Sequence, residues 1–125
     1  MRVLRGRVKS GTGDFAQWIF RLNAHYEEKT GAKLYPGTLN VRLPEPYTIP
    51  KKCLRLDARE YGGSVSVNIV PCRFFGRRAF ILRTDANELG TGRHPRTVVE
   101  IASDMKPREA YGLSDGDEVT IEIGD

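Results

Sequence analysis

Between residues 2 and 9 the chain alternates, though imperfectly. Val3, Arg5, Arg7 and Lys9 fall on one face and Arg2, Leu4, Gly6 and Val8 on the other, which predicts a first strand. Ser10-Gly11-Thr12-Gly13 ends it. Phe15, Trp18, Ile19, Leu22 and Tyr26 then recur at helical spacing, with Asp14 and Gln17 placed as a capping box and Gly31 as the stop after Thr30. Alternation returns at Thr38–Leu43, and a loop with Pro44, Pro46 and Pro50 follows. Leu54 and Leu56 begin another strand, and Tyr61-Gly62-Gly63 reads as a hairpin turn. Val65–Cys72 and Ala79–Leu82 are strands on either side of a turn at Phe75-Gly76-Arg77. A polar loop covers residues 84–96, Thr97–Ile101 is a strand, and Met105–Tyr111 is at most a short helix. Gly116-Asp117 turns into a last strand, Glu118–Ile123. Six or seven short strands, one main helix and glycine turns predict a mainly β fold closed into a small barrel.

Composition narrows the picture. At 125 residues and 39% hydrophobic content the chain is expected to form one domain, residues 1–125, with a core of its own. No run of 18 apolar residues could form a membrane helix, and charges at Arg2, Arg5, Arg7 and Lys9 interrupt any apolar leader, so a cytoplasmic protein with no membrane partner is expected. Cys53 and Cys72 have no metal-ligand spacing and are expected as small apolar strand residues. All 20 Lys and Arg lie at or before Arg108, while six of the 16 acids follow it. A basic body suits an anionic ligand such as a nucleotide. No basic run exceeds two residues and no basic helix face appears, which argues against nucleic acid.

Four segments could carry chemistry. Thr38 and Asn40 lie two apart, so on a strand their oxygens share a face; they are either a polar strand face or neutral, hard ligands for Mg²⁺. Gly11-Thr12-Gly13-Asp14 joins a strand to a helix, as a plain turn or as a backbone cradle for phosphate. It is neither a Walker A loop nor a dinucleotide fingerprint. In Met105-Lys106-Pro107-Arg108 two cations are either solvated or hold an anion. Glu100 interrupts the apolar run Val98–Ile101 and either faces solvent or lines a cavity as a contact or general base. His94 reads as a loop residue. Gly112-Leu113 through Gly116-Asp117 reads as a structural turn entering the last strand.

Taken in order, Gly6-Arg7-Val8 through Gly13, Tyr35-Pro36-Gly37-Thr38-Leu39-Asn40, Val99-Glu100-Ile101-Ala102, Met105 to Glu109 and Gly112 to Asp117 resemble the CTP-dependent riboflavin kinases of archaeal type and their bacterial relatives. The resemblance spans nearly the whole chain. It implies a six-stranded cradle-loop barrel, related to the RIFT barrels, that transfers a phosphoryl group from CTP to the 5′-hydroxyl of riboflavin, giving FMN and CDP. By the same resemblance Gly11, Thr12, Gly13, Asp14, Met105, Lys106, Pro107 and Arg108 would bind the nucleotide, Thr38 and Asn40 the Mg²⁺, and Thr91 and Glu100 the flavin. Glu100 and Asp14 are the candidate bases. Two departures stand out. The family's Gly-Glu-Gly-Arg continuation is Gly13-Asp14-Phe15-Ala16 here, and Gly92 stands where the family's flavin-binding threonine would, with Thr91 one residue further off. The rival readings are a non-catalytic flavin- or nucleotide-binding module on the same barrel, and a small β-barrel transcription regulator.

Overall fold

A computed structural model describes residues 2–11, 14–92 and 94–124. Seven strands form: β1 (Arg2–Lys9), β2 (Leu39–Arg42), β3 (Leu54–Leu56), β4 (Val67–Phe74), β5 (Arg77–Thr84), β6 (Val98–Ala102) and β7 (Glu118–Ile123). Pairing is antiparallel throughout, in the order β4-β5-β6-β2-β1-β7, and β7 returns to β4 to close a six-stranded barrel. The free edge of β4 is shared. Its first residues pair with the short strand β3, from Leu54 opposite Ile69 to Leu56 opposite Val67, and its last pair with β7. Pro71, which has no N–H to give a ladder, falls in the interval between these two partners.

The helical pattern is realised as two helices, α1 (Asp14–Arg21) and α2 (Asn23–Thr30), which bend at Leu22 (φ −108°, ψ 24°) while hydrogen bonds run on through it from Leu22 N to Trp18 O and from Tyr26 N to Leu22 O. Gly31 closes α2 in the left-handed conformation, as its place in the sequence predicts. The polar loop contains a single turn of helix, α3 (Asp85–Glu88), capped by the Thr84 hydroxyl; a second short helix, α4 (Pro107–Ala110), precedes β7. No helix among the described residues is long and apolar enough to cross a membrane.

Strand parity explains why two cores form. Leu39 and Val41 of β2, Ile81 of β5, Val99 and Ile101 of β6 and Val70, Cys72 and Phe74 of β4 point into the barrel. The alternate positions, Val67 and Ile69 of β4 and Phe80 and Leu82 of β5, point outward and are covered by Phe15, Ile19 and Tyr26 of the helices. Apolar residues on both faces of these strands therefore mark a wall buried on both sides, as in a sheet covered by helices. The covering is partial: Arg73 and Arg78, on the outward face nearer the turn between β4 and β5, are exposed.

Candidate functional site

Two buried polar residues, Asn40 and Glu100, lie on the outward face of the barrel. The register places Asn40 of β2 opposite Glu100 of β6, and Glu100 opposite Leu82 of β5, so all three project outward in one row. Asn40 and Glu100 are both about 6% exposed. Thr38, just before β2, donates its hydroxyl proton to Glu100 Oε1 at 2.9 Å, although 62 residues separate them in sequence. Asn40 Oδ1 is buried with no hydrogen-bond partner among the described residues. Gly11 lies directly over the Asn40 amide: a Cβ there would stand 1.8 Å from Nδ2, so any larger residue would have to displace the Asn40 side chain. The donor set is chemically suited to a hard divalent cation. The Thr38 oxygen has spent its proton on Glu100 and keeps its lone pairs, the Asn40 oxygen is unclaimed, and a carboxylate stands beside both.

A groove of about 380 Å³ opens over this row. Lys9, Ser10 and Gly11 form one wall, Lys106, Pro107 and Arg108 the other, and Tyr35 through Asn40 the floor. The structure thus brings together Gly11, Thr38, Asn40, Lys106, Pro107 and Arg108. Met105 is not among the lining residues; its carbonyl accepts from Ser103 Oγ. Lys106 pairs with Glu109 at 3.2 Å and Arg108 with Asp115 at 2.7 Å. Thr12 and Gly13 and the side chain of Asp14 lie outside the described residues.

A second cavity, of about 390 Å³, lies between the helices and the barrel wall. Its sides are apolar and aromatic, with Phe15, Trp18, Leu22, Tyr26, Tyr61 and Val67, and its polar groups come from Asp85, Asn87, His94 and Glu100 among others. Glu100 itself lines the cavity and is not among the groove-lining residues; it is tied to the groove floor through the Thr38 hydroxyl that donates to it. The Tyr26 hydroxyl is buried without a hydrogen-bond partner among the described residues. Burial, then the nearby Tyr61 and Glu100, pushes its ionisation far above the ordinary tyrosine range, so it is a neutral donor at any working pH. The Arg55 guanidinium grips Asp85 through two bonds of 2.8 and 2.7 Å and, with Asn68, holds its carboxyl below the usual range. Thr91 is exposed, turns its hydroxyl back onto Ala86 O, and is not among the cavity-lining residues; Gly92 and His94 are.

A family model for CTP-dependent riboflavin kinases, with the description "Domain of unknown function DUF120", matches residues 8–123. The chain belongs to the CTP-dependent riboflavin kinase family. Among curated relatives it is similar to proteins named riboflavin kinase from Methanocella arvoryzae (36% identical, 97% of this chain and 56% of the relative), Pyrobaculum islandicum (32%, 96% and 59%) and Thermococcus kodakarensis (30%, 97% and 58%). The chain thus spans somewhat more than half the length of these riboflavin kinases.

Some residues that shape this family member's site escaped the sequence reading. Tyr26 fits the apolar helical stripe, and nothing in the spacing distinguishes a tyrosine whose hydroxyl finds a partner from one whose hydroxyl does not. Arg83 is 2% exposed and donates to the carbonyls of Tyr47, Arg96 and Val98 and to Glu88 Oε1, while Glu88 Oε2 accepts from Ile49 N. That hub pins both ends of the polar loop beside the cavity. Its only sequence signal is an arginine at an inward-alternating end of an apolar strand.

Proposed function

We propose that this chain transfers a phosphoryl group from CTP to the 5′-hydroxyl of riboflavin, giving FMN and CDP. The observation that carries the reading is the Thr38–Glu100 hydrogen bond, which ties the floor of a groove with Lys106 and Arg108 in its wall, suited to a nucleotide, to the aromatic cavity that Glu100 lines, suited to an isoalloxazine ring. Family membership supports the same donor and acceptor. Gly11 offers its backbone at the groove wall, and Lys106 and Arg108 face the phosphates from the opposite wall. Thr38 and Asn40 would hold Mg²⁺, which would neutralise phosphate charge. Tyr26 donates to the flavin from the cavity wall. Glu100 orients the acceptor hydroxyl at the junction of the two spaces and takes its proton as the oxygen attacks in line. Thr91, with its hydroxyl on Ala86 O, contributes to the flavin site through the loop backbone it helps to fold. Both substrates are soluble metabolites, and the reaction belongs in the cytoplasm.

Incubating the protein with Mg²⁺, riboflavin and each nucleoside triphosphate in turn, with FMN measured by chromatography, tests the reading. FMN should form, most rapidly with CTP. Flavin binding with no FMN from any triphosphate would leave a non-catalytic flavin-binding module on the same barrel.

A further inference from the structure

One carboxylate connects the two walls of the groove without lining it. Asp115, in the turn before β7, accepts from Ser10 Oγ through Oδ2 at 2.5 Å and from Arg108 Nη2 through Oδ1 at 2.7 Å. Ser10 belongs to the first wall and Arg108 to the second, yet Asp115 itself faces the basin behind them, beside Lys9 and Gly116. The Arg108 contact is end-on, so most of the five guanidinium donors stay available. The turn does not need this side chain to hold its shape. Val8 N bonds to Asp117 O, Gly116 N to Val8 O, Asp117 N to Ser114 O and Leu113 N to Arg108 O, and Ser114 N is satisfied by Asp117 Oδ2. Backbone bonds thus anchor the turn to β1 on one side and α4 on the other, and the Asp115 carboxylate is left over to fix two side chains.

We propose that Asp115 is a positioning residue for the nucleotide, holding Ser10 and Arg108 at the separation a nucleoside di- or triphosphate requires. The inference rests on the nucleotide reading of the groove. Both bonds are solvent-exposed, so the tie adds little to fold stability and acts on binding instead.

Calorimetric titration of CDP at fixed Mg²⁺ into wild type, Asp115→Ala, Arg108→Ala and the double variant tests it, with thermal melts and riboflavin titrations alongside. Asp115→Ala should weaken CDP binding roughly tenfold, the scale of one misaligned charged hydrogen bond. The melting temperature and riboflavin affinity should stay at wild-type values. In the Arg108→Ala background the same change should cost far less, because it acts through Arg108. Wild-type CDP affinity in Asp115→Ala, or an undiminished penalty in the Arg108→Ala background, overturns the inference alone. Wild-type protein that takes up no CDP overturns the nucleotide reading and this inference with it. Should Asp115→Ala unfold, the isosteric Asp115→Asn repeats the measurement.

Discussion

Asn40 buries an acceptor that no group among the described residues meets, and a buried acceptor left unsatisfied costs about 1–3 kcal/mol. A ligand that claims the oxygen removes the cost, so the loss of Asn40 should separate stability from turnover. Asn40→Leu is expected to melt at or above the wild-type temperature while FMN formation falls sharply at every Mg²⁺ concentration; unchanged turnover across the titration would take Asn40 out of the site. The same logic applies to Tyr26. Tyr26→Phe removes an unpaired hydroxyl, so stability should hold while riboflavin binding weakens by about 0.5–1.5 kcal/mol, the usual net worth of one neutral hydrogen bond. Glu100→Gln keeps shape and one acceptor. As the base, Glu100 would lower the rate at saturating substrate by roughly 10²–10⁴-fold when so replaced; a changed dissociation constant with unchanged turnover would leave it a contact only. That Thr38 and Asn40 lie together was legible because extended chain puts i and i+2 on one side, although the strand itself begins only at Leu39. Glu100 was half legible: its alternation was visible, but which face was buried depends on helices packed from elsewhere in the chain. In the sequence Asp115 is only a turn residue, since its bond to Ser10 spans 105 positions.

At the scale of elements, the loop beside the cavity is ordered by charge rather than by apolar packing. Arg83 and Glu88 bind its two ends and the Tyr47–Ile49 segment into one cluster. Without Arg83 the carbonyls of Tyr47 and Val98 lose a buried donor, whereas Glu88 keeps Ile49 N and Arg96, so Arg83→Met should lower unfolding stability by about 1–3 kcal/mol in a denaturant titration. Amide protection should drop first in residues 84–96. Asp85 adds a pH dependence. Its carboxyl is held below the ordinary value by Arg55, so the stability it contributes is complete above that ordinary value and is lost as pH falls through the lowered one. The acid limb of a melting-temperature profile should flatten in Asp85→Asn. The strands and the Gly31 stop were legible because each is written locally. The bend at Leu22 and the turn α3 were not. The first continues the same hydrogen bonds through altered dihedrals, and the second is a four-residue helix with no apolar face to betray it.

The whole molecule is a closed ring of strands, and its links are unequal. β4 and β5 are paired over eight residues, whereas β4 and β7 meet at only two pairs, Arg73 with Glu122 and Phe74 with Ile121. Cys72 points into the ring next to that junction, and burial pushes its thiol up to about 12. It should resist a thiol reagent that modifies the half-buried Cys53 readily, and its labelling rate should report the ring's opening. Going round the ring, the β2–β6 boundary that carries Asn40 and Glu100 is the one diametrically across from the β4–β7 junction. The barrel can therefore breathe like a bracelet at its clasp while the setting on the far side stays still. A disulfide introduced in place of Arg73 and Glu122 would fasten the clasp, slowing Cys72 labelling and raising the melting temperature with no change in the KM for either substrate.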